Sequence, residues 1–146
     1  MTENNVILPA VAAAIFNEKG EILLQKRRDA GKWCVISGHV EFGETVEEAV
    51  IREIMEETNC ASSITRLIGV YSSPSSQTYT RHNRQVQYVT LYFEATLASP
   101  VLPGYNNEET AALQFFAPDR LPEDVDMIDP FWLKDALHPL QPAFIR

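Results

Sequence analysis

The stretch that decides the reading runs from Gly38 to Cys60, GHVEFGETVEEAVIREIMEETNC. Its second half predicts a helix over Val46–Thr58. Thr45 followed three residues later by Glu48 is a capping-box pattern, in which each side chain serves the other's backbone N–H. Val46, Val50 and Ile54 recur at i, i+4 and give the helix an apolar side, which Ile51 and Met55 broaden. Asn59 stands where the left-handed residue that ends a helix is expected, and Asn tolerates that conformation well for a residue with a Cβ.

The opposite side of this helix is acidic. It carries Glu47, Glu48, Glu53, Glu56 and Glu57, with Glu44 just before it, and Arg52 is the only basic residue among them. Glu53, Glu56 and Glu57 stand at i, i+3 and i+4, so they project from one face, where like charges repel. A cation offsets such repulsion. All the candidate ligands are carboxylate oxygens without thiolate or imidazole, a donor set that selects a hard ion such as Mg²⁺, Mn²⁺ or Ca²⁺. An oxygen site on one helix face leaves other coordination positions for water and phosphate, as metal-assisted phosphoryl chemistry requires. The helix by itself leaves a second reading open, that of an acidic surface that keeps the protein in solution.

The wider spacing favours the first reading. Gly38, five residues, Glu44, seven residues, Arg52-Glu53-Ile54, one residue, Glu56-Glu57, one residue, Asn59-Cys60 resembles the Nudix box, with every charged position matched. Asn59 replaces the box's final glycine, Cys60 its last aliphatic residue, and Ile36-Ser37 the Pro-Gly that often precedes the first glycine. The resemblance implies a Nudix-type α/β/α sandwich with a central mixed sheet. It also implies Mg²⁺ (or Mn²⁺) held by Glu53, Glu56, Glu57 and the carbonyl of Gly38. Arg52 then looks like an orienting partner, within i±4 reach of Glu48 and Glu56, and Glu44 like a further ligand or electrostatic support.

Around this segment, residues 6–16 read as a buried strand and 21–26 as its hairpin partner across the turn Asn17-Glu18-Lys19-Gly20. Residues 33–36 form a short apolar segment broken by Ser37-Gly38. Strands are expected over 64–71, 86–97 and 112–116, a Ser/Thr-rich connection over 72–85, a loop over 100–109 and a short helix over 130–137. No repeat or linker divides the chain, so residues 1–146 are expected to form a single domain.

Composition narrows the partners. The chain has 146 residues, 45% of them hydrophobic, enough for one core. The formal net charge is −8, which repels a phosphate backbone, so duplex nucleic acid is not expected as a partner. A small anion is different, because a bound divalent cation reverses the local field. Cys34 and Cys60 lack CxxC spacing and clustered histidines, which argues for two reduced thiols in a cytoplasmic protein rather than a zinc site. The polar segment Met1 to Asn5 is no signal peptide, and the stretch 6–16, interrupted by Pro9, is too short to span a bilayer, so no membrane role is expected. A monomer or a homodimer is expected.

Outside the box, Arg27, Arg28, Lys32, Arg81 and Arg84 are candidate phosphate contacts, each weighed against an ordinary surface charge. Trp33 either stacks on a base or opens a buried segment, Tyr79 is a further stacking candidate, and Tyr71, Tyr88 and Tyr92 read as sheet packing. His39, His82 and His138 lack ligand spacing. The general base is taken as Glu53, with Glu108 or Glu109 as the alternative, a loop carboxylate that swings in when substrate binds. The expected substrate is a small nucleotide-like molecule, a nucleoside diphosphate derivative such as ADP-ribose or a nucleotide sugar. Pro74 lies one residue short of the place where ADP-ribose-type relatives carry a proline. Hydrolysis of nucleoside triphosphates and a non-catalytic nucleotide-sensing module are the alternatives.

Overall fold

The first strand, β1 (Val6–Ile15), is buried at every residue from Ala10 to Ile15, and its alternation decides where the helices go. The computed structural model describes residues 4–138 and 142–146, so the first three residues of the polar N-terminal segment lie outside it. After β1 follow β2 (Ile22–Arg27), β3 (Trp33–Cys34), β4 (Ile36–His39), helix α1 (Val46–Thr58) and β5 (Ser62–Tyr71). The second half holds α2 (Pro74–Gln77), β6 (Thr78–Arg81), β7 (Arg84–Leu97), β8 (Thr110–Phe116), α3 (Trp132–Leu137) and β9 (Phe144–Ile145). Val11, Ala13 and Ile15 share a core with Ala49, Val50 and Ile54 of α1. Ala12 and Ala14 share another with Trp132 and Ala136 of α3. Helices therefore cover both faces of a central mixed sheet, as expected from the sequence.

The strand pairing corrects three expectations. β1 and β2 do not form a hairpin ladder: past the single bridge Phe16↔Ile22 they part into different sheets. Both edges of β1 are taken, one by β4 antiparallel and the other by β7 parallel from Val6↔Val86 to Ile15↔Ala95. β2 pairs instead with β3 and β8 in a separate antiparallel sheet. Ser37-Gly38 does not break a strand, because both residues lie inside β4. The connection 72–85 is not one long loop either. It holds α2 and then β6, which pairs with the start of β7 around a turn at His82-Asn83, with φ of 51° and 66°. Two successive left-handed residues are the backbone requirement of a tight hairpin turn.

The free edge of β5 receives β9, a strand missed in the sequence. Gly69 permits the approach, since a Cβ there would lie 2.7 Å from the Phe144 carbonyl oxygen. Arg146 then forks onto the buried Asp135 of α3 (3.0 and 2.8 Å), which also accepts the Tyr71 hydroxyl at 2.7 Å. Among the described residues no helix is long and apolar enough to cross a membrane.

Helix α1 forms as its sequence dictates. The Thr45 hydroxyl accepts the Glu48 N–H (3.1 Å) and the Glu48 carboxylate accepts the Thr45 N–H (2.9 Å). Glu48 is thereby committed to the cap and is not a partner of Arg52. Met55 faces out, 43% exposed, so the apolar side is narrower than expected. Asn59 ends the helix at φ 58° and ψ 28°, its N–H donating to the Met55 carbonyl. Asn59→Gly is therefore expected to leave urea or thermal stability unchanged or raised, and Asn59→Val to lower it by about 1 kcal/mol or more. Equal stability of the Val variant and the parent would overturn this account of the helix stop.

Candidate active site

Arg52 gathers the acidic residues. Its Nε and Nη2 grip Glu44 (2.7 and 3.1 Å), Nη2 also donates to the His39 carbonyl (3.0 Å), and Nη1 reaches Glu53 (3.0 Å) and both Glu56 oxygens (3.2 Å). The bond from Arg52 holds the Glu44 carboxyl below the usual carboxylate range. Glu53 is different: burial pushes its carboxyl up, against the pull of Arg52. It lies directly on Gly38, where a Cβ would overlap its carboxyl group. Glycine inside β4 is thus what lets the Glu53 carboxylate reach the strand backbone.

Glu57 turns inward. It is 4% exposed and accepts a short hydrogen bond from Thr110, whose hydroxyl also meets Gln25 Oε1 at 2.9 Å. Burial pushes Glu57 up to about 7, opposed by the Thr110 hydrogen bond and reinforced by the neighbouring Glu109. A threonine hydroxyl has one hydrogen to give. If it gives that hydrogen to Gln25, Glu57 must donate in turn, which suits the neutral carboxyl that burial favours. The amide of Gln25 donates onward to the Cys34 sulfur at 3.8 Å, and burial raises that thiol to about 11.

Glu53 and Glu109 line a cavity of about 540 Å³, a volume suited to a nucleotide-sized ligand. Of the other candidates, Arg27, Lys32, Arg81 and Gly38 also line it. Arg27 forks back onto Asp29 at 3.2 and 3.1 Å. Arg81 lies over the rings of Tyr79 and Tyr88, 5.7 and 5.9 Å from their centres, within the usual cation–π range. Glu44, Arg52, Glu56 and Glu57 are not on its wall, and of the candidates beyond the 38–60 segment four lie elsewhere. Arg84 lines a separate polar hollow with Asn4 and Asn83, and Arg28 binds the loop that carries Glu109. Trp33 packs edge-on against Phe116 at 5.0 Å, and Glu108 is exposed outside the cavity wall.

Sequence reasoning missed several residues. Tyr88, 6% exposed, both packs in the sheet and lines the cavity. His39 stacks on Tyr88 and meets its hydroxyl at 3.1 Å. Gln77, 2% exposed, accepts the Thr90 hydroxyl at 2.8 Å and donates to the Ile128 carbonyl. Gln25 carried a signal: a polar residue closing the apolar run Ile22-Leu23-Leu24 is out of place unless something buried needs its amide.

The donor chemistry fits a hard divalent cation. Glu53, Glu56 and Glu57 offer only carboxylate oxygens, and the missing Cβ of Gly38 leaves the Glu53 carboxylate against the strand backbone. Among the described residues no three acidic, histidine or cysteine side chains converge as they stand. Glu56 is turned to Arg52, and Glu57 to Thr110.

This fold, with its glutamate helix docked on a glycine strand, defines the class. The NUDIX domain family matches residues 6–135, and the chain belongs to it. It is 36% identical to a provisional 8-oxo-dGTP diphosphatase of Bacillus subtilis (strain 168) over 108 residues, 74% of this chain and 65% of that one. It is 50% identical to an ADP-ribose pyrophosphatase of Methanocaldococcus jannaschii over 70 residues, 45% of this chain and 41% of that one. The chain thus spans less than two thirds of the length of either relative. Its structure is similar to the crystal structure of a UDP-X diphosphatase, with a TM-score of 0.78 and 25% identity over 97% of this chain and 68% of that one.

Two measurements probe this geometry. Gly38→Ala should still fold, because the nearest atoms its Cβ would meet, at 2.1 to 2.6 Å, belong to the Glu53 side chain and not to backbone. It should also displace that carboxylate and shrink the melting-temperature rise on adding Mg²⁺ or Mn²⁺; a full rise would overturn the assignment of Glu53 as a ligand. The second measurement is pH dependence in chelator. A folded value of about 7 for Glu57 against an ordinary 4.5 means the folded state binds more protons between those limits. Stability from this group is complete below the lower value and is lost as pH rises through the upper one. Glu57→Gln should remove that slope in urea midpoints measured from pH 4 to 8, and an identical slope in both proteins would refute the burial argument.

Proposed function

We propose that the chain is a divalent-metal-dependent pyrophosphohydrolase acting on a nucleoside diphosphate derivative such as ADP-ribose or a nucleotide sugar. The observation that carries this reading is the single cavity lined both by the carboxylates of Glu53 and Glu109 and by Tyr79, Tyr88 and Arg81. A metal ion held by Glu53, Glu56, Glu57 and the Gly38 carbonyl would neutralise phosphate charge and acidify a water. Arg52 orients Glu53 and Glu56 for that task. Arg27, Lys32 and Arg81 face the phosphates, and Tyr79, 36% exposed, offers a ring to the base.

The attacking water gives its proton to a carboxylate as its oxygen bonds to phosphorus and the bridging P–O bond breaks, leaving two phosphomonoesters. Glu109 suits the base role better than Glu53. Glu53 is bonded to Arg52 and seated on Gly38, whereas Glu109 lines the cavity and forms no ion pair among the described residues. The similarity to the Bacillus subtilis protein supports a second reading, hydrolysis of a nucleoside triphosphate.

Specificity constants for ADP-ribose, nucleotide sugars, dinucleoside polyphosphates and each (d)NTP distinguish the two. Preference for one triphosphate, releasing pyrophosphate, would refute the diphosphate reading. Chelator should abolish turnover, and Glu56→Gln or Glu57→Gln should each lower it by at least ~100-fold, as loss of a catalytic electrostatic interaction commonly does. Undiminished activity in excess chelator would sink the mechanism itself.

A further inference from the structure

The loop that carries Glu109 is fastened to its surroundings by two side chains, the first of them an amide. Asn107 Oδ1 accepts the N–H groups of Glu109 (3.0 Å) and Thr110 (2.8 Å), while its Nδ2 donates to the Glu56 backbone carbonyl (3.0 Å) in the last turn of α1. The backbone N–H of Asn107 donates to the Thr110 carbonyl at 2.9 Å. Arg28, at the end of β2, braces the same stretch from the other side. Its Nε donates to the Asn107 carbonyl (2.7 Å), its Nη2 to Asn106 Oδ1 (3.0 Å), and its backbone N–H to the Glu109 carbonyl (3.0 Å).

These bonds join three elements, α1, the β2 end and β8, at the peptide that carries Glu109. They lie at an exposed surface, where a loop without such ties has little cause to hold one conformation. Their effect is geometric. They set Glu109 relative to the same helical turn that carries Glu56 and Glu57, and a displacement of about 1 Å at a reacting group costs rate on the order of 100-fold. Arg28, in the sequence a candidate phosphate contact weighed against an ordinary surface charge, spends its guanidinium on this brace.

We propose that Asn107 and Arg28 are positioning residues that hold Glu109 permanently at the reacting water, so that the loop carboxylate is preset and does not swing in with substrate. This rests on the reading of Glu109 as the general base.

The test is a double-mutant cycle with amide exchange beside it. Asn107→Ala and Arg28→Ala should each lower kcat roughly 10- to 100-fold with KM little changed, and neither should lower kcat further in a Glu109→Gln background, because each acts only through that carboxylate. In the metal-free protein, the Glu109 and Thr110 amides should be protected from exchange, and Asn107→Ala should remove that protection while α1 keeps its own. Losses that multiply in the Glu109→Gln background, or amides already unprotected in the parent, overturn the positioning role and leave the base reading standing. Full turnover by Glu109→Gln alone refutes the base reading, and the inference with it.

Discussion

The site depends on one guanidinium. Arg52 directs all five of its N–H groups at acceptors on three pieces of chain: the carbonyl that ends β4, Glu44 in the connecting loop, and Glu53 and Glu56 on its own helix. Lysine has neither the planar fork nor enough donors for this arrangement. Carboxylates this close on one helix face repel one another, and a charge-assisted network around a permanently charged centre is what makes their proximity tolerable. The same bonds fix the angle at which α1 meets β4, and so the seat of Glu53 on Gly38. Helix register, strand approach and ligand placement are in this way a single constraint.

What was legible in the sequence follows from how local each determinant is. The cap at Thr45 and the stop at Asn59 are each set within a few residues of chain, and both appear where the pattern puts them. The pairing of β1 with β7 was not legible, because it joins Val6 to Val86, and nothing in either segment names its partner. The supposed hairpin of β1 and β2 failed for the same reason: a short turn makes two strands neighbours, but occupation of both edges of β1 by distant strands overrides it. β6 escaped notice because all four of its residues are exposed, which removes the alternation that marks a strand.

The candidate site divides along the same line. The glutamates of α1 were visible through their spacing, whereas Asn107, Gln25 and Thr110 act through contacts across 51 to 85 residues of chain. Buried polar side chains offer a partial remedy. Gln25 inside an apolar strand and Gln77 at the end of α2 each make hydrogen bonds that an apolar residue could not, and each lies behind a wall of the cavity or on it. A polar residue that hydrophobic patterning cannot explain is a reasonable place to look for the supports of a site.

An anionic substrate of the proposed kind sets an apparent problem for an acidic chain, with a formal net charge of −8. The distribution of charge resolves it. Arg27, Lys32 and Arg81 line the cavity, and Arg81 is held over tyrosine rings rather than neutralised by a carboxylate. The acidic side chains nearest the reaction are those whose negative charge a divalent cation would cancel or reverse. Without the ion, burial answers part of the same charge by raising Glu53 and Glu57 toward neutrality. Under the proposed function, a bound divalent cation would add to the pull of these cationic side chains on phosphate, and would tie substrate capture to a state competent for hydrolysis.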